Sequence, residues 1–233
     1  MKKQLKPGKI VFYIFTMFFL LQFAACSGDG KNHILILDTS MSMIGYGGKN
    51  ILGSVKTSIA NYVDTVEDGD TITFLTFDSK VKAYPTITID GDGSREAVKK
   101  FISVTEAKGK YTYTYRMMDK TFALADKLQK ENGNQTVVVM MTDGLDDPPP
   151  GFVRYRQNFK KLYERYQGKD WWIYLVSFSD FKKSQENMRN RIAGLKKISD
   201  KTKIISGDPK NAIDKDLKND IKGQEGTSPI VII

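Results

Sequence analysis

The chain has 233 residues, a formal net charge of +9 at pH 7 (36 Lys and Arg against 27 Asp and Glu), one Cys and one His. A single cysteine excludes a disulfide framework within one chain, so the redox state of the compartment leaves no mark on the sequence. No nucleic-acid motif, Walker loop or dinucleotide fingerprint accompanies the basic balance, and no nucleic-acid partner is expected.

Lys2, Lys3, Lys6 and Lys9 precede an apolar run from Ile10 to about Leu21, and Phe23-Ala24-Ala25-Cys26 follows. This is the layout of a secretory signal peptide with small residues before the cut. Ending on the chain's cysteine, it resembles a bacterial lipoprotein signal, which implies removal of residues 1–25 and a lipid anchor on Cys26. The competing reading is an uncleaved signal anchor; the run is short for a membrane span of about 20 residues, and small residues lead into the Cys. Ser27 stands where Asp would suggest inner-membrane retention in enteric bacteria, so the outer membrane is the expected destination. Loss of four lysines and no acids would lower the charge to +5. The remaining cations are spread through stretches such as residues 188–197, which read as solvated helix faces.

The remaining length of about 208 residues suits one domain, from 33 to 222, between a short tether (26–32) and a tail (223–233). Ile34-Leu-Ile-Leu37 is apolar on both faces, as expected of a central strand of a parallel sheet covered by helices. A helix near 50–66 and a strand at 70–77 follow. After the short Asp78-Ser79 link, a strand at 80–89 is expected to run antiparallel. Next come a helix near 94–103, a polar loop Gly109-Lys-Tyr-Thr112-Tyr-Thr114, a helix near 115–130 with Met118, Phe122 and Ala125 on one stripe, and a strand at 135–141. A helix near 153–166, a strand at 171–178, a helix near 185–198, a short strand at 202–205 and a helix near 209–222 complete the alternation. The fold class is α/β: a doubly wound, mainly parallel sheet with one antiparallel strand and helices on both faces. The tail, ending Ile-Val-Ile-Ile, reads either as an added edge strand or as a disordered end.

The chemistry concentrates at strand carboxyl ends, where open α/β sheets bind ligands. Asp38, Ser40 and Ser42 follow the first strand, and Thr142-Asp143-Gly144 follows the strand at 135–141. Carboxylates and hydroxyls of this kind suit a hard divalent cation. Either string alone is an ordinary turn or helix cap; both together, each after an apolar strand, are not.

These elements, in this order, resemble the von Willebrand factor A domain, whose metal-ion-dependent adhesion site uses Asp-x-Ser-x-Ser, a Thr from a middle loop and an Asp after a central strand. The resemblance covers about Asn32 to Lys222. It implies Asp38, Ser40, Ser42, Thr112 and Asp143 as ligands of Mg2+ (or Mn2+), with Thr114 the alternative to Thr112. Lys110 and Tyr111 before the Thr depart from the family's common Gly-Gly-Thr. The implied function is protein binding in which an Asp or Glu of the partner completes the octahedron.

Tyr46, Tyr111, Tyr113 and Tyr115, with Met41 and Met43, surround these motifs in sequence and are expected to form a partner-binding rim. Asp146-Asp-Pro-Pro-Pro150 should be a stiff, exposed loop beside it. Two enzyme readings compete. A haloacid-dehalogenase-type phosphotransferase would need a second Asp where Ser40 stands. An aspartic protease matches Asp38-Thr39-Ser40 but needs two such carboxylates sharing a proton in an all-β fold. His33 has no nucleophile nearby in sequence and is expected in a loop or capping role. The expected protein is therefore a non-enzymatic, lipid-anchored binding domain of the cell envelope. The alternative is a scaffold or assembly subunit whose metal site is occupied permanently or not at all.

Overall fold

The computed structural model describes residues 30–45, 50–143, 147–152, 156–178 and 185–225. The leader 1–25, Cys26, Tyr46, Gly144 to Asp146 and the tail beyond 225 lie outside the described residues.

Seven strands form one sheet: β1 Lys31–Asp38, β2 Thr71–Phe77, β3 Val81–Ala83, β4 Ile87–Thr88, β5 Gln135–Thr142, β6 Trp171–Ser177 and β7 Thr202–Ser206. Their order is β3-β2-β1-β5-β6-β7, with β4 also on β2. β2, β1, β5, β6 and β7 run parallel, whereas β3 and β4 pair antiparallel with β2. The single strand expected at 80–89 is therefore two short ones. Pro85 sits between them and has no N–H to give to a ladder, which accounts for the break.

Alternation along β1 divides the core. Leu35 and Leu37 join Phe74, Val137, Val139, Met141 and Val176 on one face, packed by α1 (Leu52–Val63), α2 (Asp92–Ser103) and a wide-turned helix at Lys210–Leu217. Ile34 and Ile36 join Leu75, Phe77, Val138, Met140 and Ile173 on the other, packed by α3 (Thr114–Asn132), α4 (Arg156–Arg165) and α5 (Gln185–Ile198). Helix α6 (Lys218–Glu225) continues the wide-turned segment. Covering both faces is what makes continuous apolar strands compatible with water.

His33 is not in a loop. It lies within β1, buried, with Nδ1 2.8 Å from the Tyr62 hydroxyl and Nε2 3.0 Å from Asp70 Oδ2. Burial pushes the Asp70 carboxyl up, but His33 and the Lys31 N–H outweigh it and hold that carboxyl below its ordinary value. This group joins the amino ends of β1 and β2, at the edge of the sheet opposite the motifs.

Candidate metal centre

Parallel pairing brings Asp38 level with Phe77 at the end of β2 and carries Thr142 and Asp143 alongside at the end of β5. Thr39 N–H and hydroxyl both donate to the Phe77 carbonyl, at 2.8 and 2.9 Å, which turns the chain out of the sheet. A short 3-10 turn at Met41–Met43 then presents Ser40 and Ser42. The middle loop docks here as well. Met41 N–H donates to the Gly109 carbonyl at 2.8 Å, and Lys108 and Gly109 N–H donate to the Thr39 carbonyl. Gly109 is required by close approach, because a Cβ there would lie 2.2 Å from the Asp78 Cβ.

The side chains converge. Ser40 Oγ and Ser42 Oγ are 2.9 Å apart, and Ser42 Oγ donates to Asp143 Oδ1 at 2.9 Å. Asp38 is fully buried; Oδ1 accepts the Ser40 N–H at 2.8 Å and Oδ2 accepts the Thr142 hydroxyl at 2.6 Å. Thr112, from the middle loop, is buried, its N–H and carbonyl exchanging 2.9 Å bonds with Asp147 on the loop after β5. Four of the five proposed ligands thus share one bonded cluster or its immediate sequence, and Thr112 is held between the Gly109 contact and the Asp147 bridge.

Burial pushes the Asp38 carboxyl up to about 6, against hydrogen bonds from Thr142 and Ser40 that favour its charge. Burial also raises Asp143, opposed by the Ser42 hydroxyl. Two carboxylates whose burial raises their pKa values, one buried and one half-buried, are short of positive charge. A donor set of two carboxylates and three hydroxyls, all oxygen, is that of a hard cation such as Mg2+ or Mn2+, so the residues fit one. Among the described residues no group of three or more His, Cys, Asp or Glu forms a different kind of site.

Of the expected rim, Tyr111 and Tyr115 are half-buried, and Tyr46 lies outside the described residues. Tyr113 is corrected. It is 6% exposed, its ring 5.2 Å from Phe152 and 6.3 Å from Tyr115, because the first turn of α3 rolls it inward. Thr142, the Asp38 hydrogen-bond donor, was not among the expected site residues, although its place directly before Asp143 is the signal that points to it. Asp78 was missed too; only its position at the end of β2 hints at its contact with Gly109.

Residues 33–145 match the family model of the von Willebrand factor type A domain. No curated protein matches the chain. Among solved structures, a mutant of the PilB minor pilin from Streptococcus sanguinis aligns over 84% of this chain and 61% of its own, at 11% identity and TM-score 0.65. An aerotolerance-related membrane protein from Bacteroides fragilis aligns over 83% and 100%, at 18% identity and TM-score 0.55. Proximal thread matrix protein 1 from the mussel byssus, with a zinc-occupied MIDAS motif, aligns over 78% and 45%, at 16% identity and TM-score 0.51. The chain thus spans less than two thirds of the pilin and under half of the byssus protein. At these identities the likeness is one of fold, and the fold is of the von Willebrand factor A type.

Proposed function

We propose that this chain is a von Willebrand factor A domain of the bacterial envelope that binds a protein partner through a divalent cation. Asp38, Ser40, Ser42, Thr112 and Asp143 would hold the ion, directly or through water, and the partner would supply an Asp or Glu. When bound, the cation supplies a positive centre to which that carboxylate coordinates. The protein's own residues do the positioning. Thr142 and the Ser40 N–H fix Asp38, and Ser42 ties the first motif to Asp143.

The observation that carries this reading is the Ser40–Ser42–Asp143 chain of 2.9 Å contacts, which joins two motifs a hundred residues apart at one sheet edge. Support for a protein partner comes from the family match, and support for the envelope from the pilin and membrane-protein neighbours. A binding module, rather than an enzyme, is the role such a donor set suits.

The test is titration with Mg2+ and Mn2+, followed by calorimetry and melting. A ligand that binds only the folded state at about 100 times its Kd should add about 2.7 kcal/mol of stability. No heat and no change in Tm, with Asp38→Ala behaving like the parent, would refute the metal site. Pull-down from envelope extract with and without chelator separates metal-dependent binding from a scaffold with a structural site. Cys26→Ser tests the anchor separately: lipid labelling should be lost, and persistent membrane association would point to an uncleaved leader.

A further inference from the structure

Beside the metal centre, three segments each bring one exposed cation to the same place: Lys80 from the β2–β3 turn, Lys110 from the middle loop and Arg116 from the first turn of α3. Their proximity follows from close contacts. Gly109 packs directly on Asp78, which sets Lys110 against the turn that carries Lys80. Tyr113 N–H donates to the Asp78 carbonyl at 2.9 Å, and Arg116 Nη1 donates to the Ser79 carbonyl at 3.3 Å. Lys110 Nζ also lies 5.4 Å from the centre of the Tyr111 ring.

Among the described residues none of these three cations is in a salt bridge. Two neighbouring acids are paired with other cations, Asp78 takes hydrogen bonds from uncharged donors, and the exposed Asp147 is tied to Thr112 through its backbone. Asp78 Oδ1 accepts the Lys80 N–H at 2.7 Å and the Ser79 hydroxyl at 3.2 Å, Glu106 pairs with Lys108, and Asp119 pairs with Arg165 at 3.1 Å. Three cations against Asp78 and Asp147 leave the patch a small surplus of positive charge, and Thr112 falls between Lys110 and Arg116 in sequence.

The same edge of the sheet carries apolar surface. Ile44, which closes the Met41–Met43 turn, is 42% exposed; Val104, which follows α2 into the middle loop, is 61% exposed; and Phe152, against Tyr113, is 49% exposed. These are the exposed large hydrophobics among the described residues. Single apolar side chains set around discrete charges match a polypeptide better than a lipid surface, which presents one continuous plane.

Resting on the metal-dependent reading above, we infer that the partner contact is a protein segment carrying several carboxylates interspersed with apolar side chains. One carboxylate goes to the cation site, and the others go to Lys80, Lys110 and Arg116. The metal alone recognises any carboxylate; the patch selects an acidic run. Charge complementarity of this kind sets specificity and association rate more than raw affinity, and it is screened by salt.

The test uses the full-length chain in detergent with Mg2+ and two fluorescein-labelled octapeptides, Glu-Leu-Glu-Val-Glu-Leu-Glu-Gly and its counterpart with three of the four Glu replaced by Gln. Fluorescence anisotropy should show the four-Glu peptide binding about tenfold tighter at low salt, the sum of a few exposed ion pairs. That preference should vanish in Lys80→Gln/Lys110→Gln/Arg116→Gln and at about 0.5 M salt, where the Debye length is only a few ångströms. Binding of the one-Glu peptide should be unchanged in the triple variant and lost with chelator. Equal affinity of the two peptides for the parent, or a preference that survives in the triple variant, would overturn the inference. A preference that needs the three cations but ignores chelator would support the patch and remove the metal reading. Patch-dependent binding to phosphatidylglycerol vesicles without any peptide preference would overturn it in favour of a lipid surface.

Discussion

Ser42 Oγ donates to Asp143 Oδ1 at 2.9 Å, a single hydrogen bond that joins the turn after β1 to the exit of β5. Hydrogen bonds to charged groups are worth about 1.5–3 kcal/mol. Ser42→Ala removes both this bond and one oxygen of the donor set. Mg2+ affinity by calorimetry should therefore fall by about tenfold or more, the equivalent of at least about 1.4 kcal/mol. Unchanged affinity would mean that Ser42 caps a turn and nothing else.

Thr142 acts one step behind the donors. Its hydroxyl donates to the buried Asp38 Oδ2 at 2.6 Å, so Thr142→Val keeps the shape and leaves a buried carboxylate short of a partner. The loss expected in urea unfolding of the metal-free protein is about 1–3 kcal/mol at pH 7. Asp38→Asn/Thr142→Val, with no charge to satisfy, should show a smaller Thr142 effect. Equal effects in both backgrounds would place the role of Thr142 in packing.

Asp38 also gives the metal-free protein a pH signature. Its carboxyl titrates at about 6 in the folded state and at an ordinary 3.8 when unfolded. Between those values the folded protein binds more protons, so the contribution of this group to stability falls as pH rises, by about 1.4 kcal/mol for each pH step of one and about 3 kcal/mol in all. The loss is absent below about pH 4 and complete above about pH 6. Asp38→Asn should accordingly match the parent near pH 4 and exceed it at pH 7 when chelator is present. Mg2+, which competes with protons for the same carboxylate, should narrow that difference at pH 7 and have little effect near pH 4. A difference independent of pH would show that Asp38 is not held protonated by burial.

The parts of this protein legible in its sequence are those set by short-range pattern. Ile34 to Leu37 and Val137 to Met141 are buried on both faces, so an uninterrupted apolar run marks them as central strands, and the polar strings after them mark one sheet edge. Long-range partners left no such trace. His33 sits in an apolar stretch, yet its role depends on Tyr62 and Asp70, 29 and 37 residues away. Tyr113 alternates with Tyr111 and Tyr115 as though on an extended rim, but it immediately precedes α3, and helical geometry points it inward at Phe152. The split of β3 from β4 was readable at Pro85, whose missing N–H argues against one continuous strand.

That inward turn separates the tyrosines by role. Tyr113→Ala should lower stability by roughly 3 kcal/mol, in the range for burying an aromatic ring and then removing it. Tyr111→Ala, at a half-buried position beside Lys110, should melt with the parent and lose affinity for the four-Glu peptide. A Tyr113→Ala protein that melts with the parent, like Tyr111→Ala, would place Tyr113 on the rim as the sequence alone suggested.

Gly194 offers a test of the helical layer remote from the site. It lies in α5, buried against α4, and a Cβ there would meet the Tyr163 ring at 2.0 Å from Cε2 and 2.3 Å from Cζ. Two effects oppose each other in Gly194→Ala. Helix propensity favours Ala by about 1 kcal/mol, whereas forcing a methyl into a filled interface costs typically about 1–3 kcal/mol and more where the neighbour cannot yield. Tyr163 stacks on Phe159 at 5.9 Å and is 9% exposed, so its ring has little room to swing away. The clash should prevail, and Gly194→Ala should melt several degrees below the parent while its Mg2+ affinity stays the same. Adding Tyr163→Leu should recover part of the loss by vacating the ring. A Gly194→Ala protein that melts above the parent would mean that α4 and α5 pack less closely than this contact requires.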